Sequence, residues 1–508
     1  LLFDLEDYMK KIIVFVCMLL CAASLFAGVT GVVNFKPYFT YDNSPAAIAS
    51  DAGNLSTWNI PSDWWENKHD YLLKPYAVPS LLDLGFEVDT KNIDMVFVLD
   101  IRQDALQILK DDGKLMTNIP FVGAVIDLNM PRVGYVDFTS NDSAFYASIG
   151  RRQIKWGPSE YDMAISDSQP YLDNAFIRFD AAMNNGWNFW YNFIGIAYKL
   201  FMDYGTDVGP KSTFAHRIGF ENSNFRIAIA ELNNVYNKYP TLLDFTPFGL
   251  WHDNYQDNYS NVMLNVSLEG LAGPVRLFGT FTMDDFDLPH EKDNAYGLSN
   301  KPQAMGFNAG AEVNLLNGEE IVSSEFEYSD YALREQTFKK NTGLNLGYEF
   351  YYCSTFMYNR NDDAGKFTVP FQFISLTGNG YSYDENAYYL GFKYGPNTMV
   401  HRVYAEYKAS PFEAELSAEL IKRGSYGIDD EYSTNAYFFS RGLKTMQLTD
   451  PVTTALKVDA GAAYSLQKGF KVCSTFSYSR DLTHKTQAMA LTIGASIAVC
   501  DVDWKNLF

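Results

Sequence analysis

A chain of 508 residues with a net charge of −21 has no basic surface to offer a phosphate backbone, which excludes nucleic acid as a partner. That length would normally suggest two or more soluble domains, yet 16% of the residues are aromatic while mean hydropathy is only −0.18. Many aromatics without long apolar runs fit strands that face lipid on one side and a polar lumen on the other, because the two faces cancel in any sliding average.

Residues 1–8 precede Met9 and read as an upstream extension. Lys10 and Lys11, the apolar run from Ile12 to Phe26, and Ala27 before Gly28 have the parts of a secretory signal peptide over 9–27. The run is shorter than the about 20 apolar residues of a membrane helix. Lipidation at Cys17 or Cys21 is the weaker reading, because the large Val16 and Leu20 precede them. Cleavage near Ala27 leaves Cys353, Cys473 and Cys500, a sparse set that predicts no obligatory disulfide.

Residues 28–83 are expected to be an N-terminal periplasmic or plug-like segment. From 41 onward they are rich in Pro, Asp, Asn and Trp and do not alternate. Strands are expected from Leu84, where Leu84, Phe86 and Val88 alternate before a turn at Lys91-Asn92, and the barrel is expected over 84–508. Val262, Leu264, Val266 and Leu268 oppose Asn265, Ser267 and Glu269, and Ala414, Leu416, Ala418 and Leu420 oppose Glu413, Glu415, Ser417 and Glu419. The pattern is clearest near the end, where Val458, Ala460, Ala462, Tyr464 and Leu466 share one face, followed by Phe470 to Tyr478 and Met489 to Val499. A turn near 482–485 puts Cys473 opposite about residue 493.

Strands of about a dozen residues exceed the about 5 or 6 typical of soluble sheets and match the about 25 Å apolar band of an outer membrane. Tight connections are expected at Asn222-Ser223-Asn224, Leu271-Ala272-Gly273, Asn317-Gly318 and Ser410-Pro411, and long polar ones over 233–258, 285–302 and 423–453. Between 331 and 397 the up-and-down alternation does not close. The fold class is therefore all-β, a transmembrane antiparallel barrel of about 18 strands (about 16 to 20), exported to the bacterial outer membrane. Outer-membrane lipid and the outer-membrane insertion machinery are its expected partners, and the barrel is expected to be a monomer.

Enzyme chemistry finds no footing. None of the six His residues has zinc-site spacing, and neither a Gly-x-Ser-x-Gly elbow nor a phosphate loop occurs. Acidic pairs such as Asp284-Asp285 and Asp429-Asp430 read as solvated loop acids. No catalytic residue, metal site or cofactor is expected.

One segment stands apart. Phe145, Ala147, Ile149 and Arg151 alternate through Gly150, Arg151 and Arg152, and the pattern then breaks at Trp156-Gly157-Pro158, with Ser166 and Pro170 downstream. Arg151 and Arg152 point to opposite faces, so at least one should enter the lumen, where Glu221, Glu231, Glu269 and Asp180 are candidate partners. This strand ending in Gly150-Arg151, followed by Trp156-Gly157-Pro158, Ser166 and Pro170, resembles the Wzi-type capsule-assembly family of outer-membrane proteins. Ser159 is a departure, since many relatives have Gly there. The resemblance implies a large barrel of about 18 strands with a plug-like N-terminal part, acting as a lectin that holds exported polysaccharide. Independently, Trp251, Tyr255 and Tyr259 lie among Asn and Asp in a composition suited to sugar rings and hydroxyls, as do Trp58, Trp64 and Trp65. The expected function is non-enzymatic binding or retention of surface polysaccharide, with a diffusion pore for small solutes as the alternative.

Overall fold

In a computed structural model the chain is all-β, with no α-helix among the described residues. These are 28–42, 80–102, 115–119, 131–169, 171–199, 209–246, 249–252, 259–285, 302–316, 331–340, 342–360, 362–377, 380–428, 430 and 446–499. The signal-peptide residues, Trp58, Trp64, Trp65, Pro170 and Tyr255 lie outside them.

The first strands are β1 (Val29–Phe35), β2 (Tyr38–Asp42), β3 (Leu82–Asp89), β4 (Ile93–Ile101), β5 (Leu115–Thr117), β6 (Val133–Thr139) and β7 (Phe145–Arg152). After the two-residue β8 (Ile154–Lys155) come β9 (Leu172–Ala182), β10 (Asn188–Lys199), β11 (Lys211–Glu221), β12 (Phe225–Tyr236), β13 (Ser260–Ala272), β14 (Val275–Asp285) and β15 (Ala304–Leu316). Then follow β16 (Leu333–Arg334), β17 (Gly343–Cys353) and a separate hairpin of β18 (Thr368–Thr377) and β19 (Gly380–Tyr389). The chain closes with β20 (Thr398–Ala409), β21 (Phe412–Arg423), β22 (Thr453–Gln467), β23 (Phe470–Asp481) and β24 (Gln487–Ala498).

β1 and β2 act as one strand interrupted at Lys36-Pro37. They pair with β24 through Asn34↔Ala498, Phe35↔Ile497 and Tyr38↔Gly494, while β1 pairs along its length with β3. Counting β1 and β2 together and leaving out β5, β8, β16 and the β18–β19 hairpin, the result is a closed antiparallel barrel of 18 strands. Closure removes the sheet edge, and every strand then finds its backbone partners without water. The expected start at Leu84 is thus corrected, because the wall begins at Val29. β1 and β2 are short and weakly alternating, and only their pairing across the chain termini reveals them.

Outward alternation carries the membrane band. Tyr464, Leu466, Leu491 and Ile493 are exposed on the outer wall, as are Ile218, Ile229, Leu268 and Leu277. Inward positions are polar and paired. Arg226 meets Glu221 and Glu269, Arg276 meets Glu269 and Glu312, and Arg402 meets Glu349 and Glu419. A closed barrel with an apolar belt and a polar interior belongs in the bacterial outer membrane.

Short turns such as 222–224, 273–274, 410–411 and 468–469 gather at one rim and most long connections at the other, which is therefore the external one; the 317–342 connection is the exception at the inner rim. Asp42 and Ser80, which flank residues 43–79, lie at the external rim, and 43–79 themselves lie outside the described residues. The expected turn at Asn317-Gly318 lies outside the described residues, within the 317–342 connection from β15 to β17. The alternation failed over 331–397 because β16 and the β18–β19 hairpin are not wall strands. Cys473 lies opposite Gly494, one position from the expected partner, and Cys353 and Cys473 are both free thiols.

The closure is testable. Asn34→Cys combined with Ala498→Cys should form an intramolecular disulfide on oxidation, seen as a gel shift of the denatured protein absent from either single variant.

Candidate functional site

A barrel of about 16–18 strands leaves an aqueous channel unless something fills it. Here the connections fold inward. Residues 153–169 enter from the external rim between β7 and β9, and the 354–397 connection enters beside them. Residues 331–340 rise from the inner rim. The first and third meet as a two-residue parallel ladder, Leu333↔Ile154 and Arg334↔Lys155. The Leu333 N–H donates to the Gln153 carbonyl at 2.8 Å and the Glu335 N–H to that of Lys155 at 3.1 Å.

Around this junction the lumen has an apolar core. Ile154, Trp156, Met163 and Ile165 pack with Ile194, Leu232, Met263 and Tyr351 of the wall and with Met357, Tyr358, Phe367 and Phe392 of the 354–397 connection. The Tyr358 hydroxyl stitches two inserts together, donating to the Met163 carbonyl at 2.6 Å and accepting the Phe392 N–H at 2.9 Å. The inserts also bond the wall and one another. Ser159 bonds Asn308 at 2.7 Å, Arg276 donates to the Pro158 carbonyl at 2.6 Å, and Ser166 donates to the Gly391 carbonyl.

Glu335 is the keystone. Its Oε2 accepts the Gly157 N–H at 2.8 Å and the Arg217 guanidinium at 2.6 Å. Arg217, fully buried, also donates to Ser267 Oγ at 2.6 Å and lies 5.4 Å from the ring centres of both Trp156 and Trp190. Burial resists the Glu335 charge, but Arg217, Arg226 and the Gly157 N–H outweigh it and hold the carboxyl below its ordinary range. Gly157 has φ +83°, and a Cβ there would sit 2.0 Å from Asp162 Oδ2, so the Trp-Gly-Pro break requires glycine. Asp162 is buried beside this centre. Desolvation pushes its carboxyl up to about 7 against the opposing pull of the Ala164 N–H and Arg217, while Glu335 reinforces the rise.

The remaining motif residues divide between two faces. Gly150 has φ +149°, and its Cβ would lie 2.3 Å from the Gly134 carbonyl, so only glycine allows the β6–β7 approach. Arg152 faces the lumen, buried over the Tyr135 ring and paired with Asp137 at 2.9 Å. Arg151 lies on the outer wall at the external rim, bidentate to Asp173 at 2.6 and 2.8 Å and 4.1 Å over the Tyr171 ring. The expected acidic partners are therefore corrected. Glu221 and Glu269 pair with Arg226 and Arg276, Asp180 pairs with Arg178, and Glu231 faces outward beside His216. Asp284 and Asp285 are buried rather than solvated, Asp285 against Arg360.

Trp251 is buried and stacked on His216, so it offers no sugar platform, whereas Tyr259 is 45% exposed. Sequence reasoning missed Glu335, Arg217 and Tyr358. None carries a local signal, since Glu335 and Tyr358 in irregular stretches look like any loop residue and Arg217 like any inward charge of a strand until their partners arrive from far along the chain.

On the inner side of the junction lies a cavity of about 820 Å³, lined among others by Lys155, Glu160, Glu349, Arg402, Glu406 and Glu415. Both signs of charge line it, so it selects neither anions nor cations by net field. Among the described residues no group of His, Cys, Asp or Glu could hold a metal.

No family model matches the sequence, and no curated protein matches it. Solved structures of similar shape are outer-membrane barrels. Wzi of Escherichia coli, described as a carbohydrate-binding β-barrel involved in group 1 capsule assembly, is 11% identical with a TM-score of 0.49, covering 92% of this chain and 84% of that one. OccD3 of Pseudomonas aeruginosa is 9% identical with a TM-score of 0.39, covering 93% and 91%. OprB of Pseudomonas putida is 8% identical with a TM-score of 0.32, covering 92% and 94%.

Two outcomes follow for the insert. Glu335→Ala strands Arg217 as an uncompensated buried charge, a loss of about 3–5 kcal/mol, and residues 153–169 should become cleavable by protease in the folded barrel. Asp162 titrates near 3.8 in an unfolded chain and about 7 here, so between those values the folded state holds a proton that the unfolded chain has released. Its contribution is most favourable in acid and declines as pH rises to about 7. Asp162→Asn should flatten the pH dependence of protection of 153–169, measured by hydrogen exchange.

Proposed function

We propose that this protein is a closed, non-enzymatic, monomeric outer-membrane barrel that binds or retains a surface polysaccharide at its external face. One observation carries the reading: the lumen of an 18-stranded wall is occupied by a packed apolar core built from three in-folded connections. A diffusion pore needs a continuous wet path, and apolar packing of this kind removes one. What remains available to a large hydrophilic ligand is the external rim. The motif resemblance to Wzi-type proteins supports the same reading.

Within the motif, Arg152, Trp156, Gly157, Pro158 and Ser166 are spent on the wall and the insert, whereas Arg151 meets solvent at the rim. Arg151, Asp173 and the Tyr171 ring offer hydrogen-bond donors, acceptors and an aromatic surface, the three things a polysaccharide surface uses. The exposed ring of Tyr259 extends this set. Tyr255 and Pro170 belong to the proposed site by sequence position only.

The deciding measurement is single-channel conductance of the refolded protein in a planar bilayer. A folded but silent barrel is expected, and stable stepwise openings would sink the proposal in favour of the diffusion pore. With silence established, Arg151→Ala should reduce retention of the host's surface polysaccharide without opening the barrel.

A further inference from the structure

The external connection after β12 does not stand up from the barrel. On β11, Arg217 and Ala215 face the lumen, so Phe214, His216, Ile218 and Phe220 share the outer wall. Ile218 and Phe220 are exposed there. On β12, Asn234 bonds the in-folded segment at the Gly365 and Lys366 carbonyls, which puts Ile229, Glu231 and Val235 on the outer wall as well. A carboxylate and an imidazole therefore occupy the lipid-facing side, paired with each other at 3.0 Å.

The β12–β13 connection covers them. The Trp251 ring stacks on His216 at 4.5 Å with 17° between planes, and the Trp251 and His252 N–H groups donate to the two Glu231 oxygens at 3.0 and 2.6 Å. Phe245 packs edge-on against Phe214 at 4.8 Å, and Trp251, Phe214 and Val235 form a cluster with Phe193 and Val262 on the outer wall. An uncovered carboxylate facing hydrocarbon would be costly, and here two backbone donors and a ring satisfy and roof it.

The height of this roof matters. The exposed belt on β12 starts at Phe225, and about ten residues at about 3.3 Å each and about 40° tilt span the about 25 Å apolar band. Glu231 is six positions along and lies inside the band, and its roof lies with it. The roof's own outer surface is apolar: Leu242 is 89% exposed, Leu250 69%, Tyr239 60% and Phe245 51%, continuous with Ile218 and Ile229 of the belt.

We propose that residues 239–246 and 249–251 form a strap lying in the outer leaflet against the outside of the barrel, with lipid acyl chains packed on Leu242, Leu243, Phe245 and Leu250. The occupant is lipid because the patch continues the lipid-facing wall at the same height. The proposal is independent of polysaccharide binding.

The test is spin-label accessibility in lipid nanodiscs, both faces of which are open to water-soluble reagents. Single nitroxides would be placed through Leu242→Cys and Leu250→Cys on a background lacking the other cysteines. Leu268→Cys marks the lipid belt and Ser223→Cys an aqueous turn. Labels at 242 and 250 should follow the belt label, several-fold more accessible to oxygen than to a nickel chelate. Accessibility like that at 223 would overturn the proposal by putting the strap in water. Shielding from both reagents would overturn it by identifying a second copy as the occupant. Glu231→Ala should release the strap and shift the 242 label toward nickel accessibility, and Phe245→Ala provides the same readout should that variant fail to fold.

Discussion

The Glu335 carboxylate, shared between the Gly157 N–H and the Arg217 guanidinium, is the interaction on which the packing of the lumen depends. It joins a segment entering from the inner rim, a segment entering from the external rim, and a wall strand. Each partner is buried, and each would be expensive alone: an anion, a cation and an unpaired backbone donor in a dry interior. Their mutual satisfaction makes the junction specific, because no displaced arrangement of the two inserts meets all three requirements. The apolar core of Ile154, Trp156, Met163 and Tyr358 can then pack against a fixed frame.

The barrel has two apolar surfaces, one facing lipid and one within the lumen, and a polar layer in the lumen below the second. Outside, the belt faces lipid. Inside, the external half of the lumen is lined by Ile194, Leu232, Met263 and Tyr351, which the inserts cover. The inner half keeps the ionic ladder of Arg226, Glu269, Arg276, Glu312, Glu349 and Arg402, where the wall is wetter and the cavity lies. Charges stay paired along the wall, and greasy side chains gather where in-folded chain replaces water. The division explains how a large barrel can be stable with its lumen filled.

The same logic repeats on the outer wall, where His216 and Glu231 interrupt the belt and a folded-back connection satisfies them. Connections in this protein are structural parts more than free loops. They fill the lumen, roof a polar break in the belt, and leave Arg151, Asp173 and Tyr171 among the groups at the external rim. A surface ligand would meet that rim, and the chain behind it is braced from both sides of the wall.

The period-2 pattern of residues 456–499 determined three strands, their facing and nearly their register, with Cys473 one position from its expected partner. Lipid on one face and lumen on the other impose that alternation residue by residue, so it is legible locally. The break at Trp156-Gly157-Pro158 was legible as a break for the same reason, since the Gly157 backbone needs a positive φ. Its purpose was not legible. Whether Trp156 meets a sugar or a lumen core depends on Arg217, Trp190 and Glu335, which lie in separate parts of the chain. Closure by β1 and β2, the inward path of 331–340 and the orientation of Glu231 are of the same kind. Alternation says that a residue points to one face or the other, and only the assembled barrel decides what waits there.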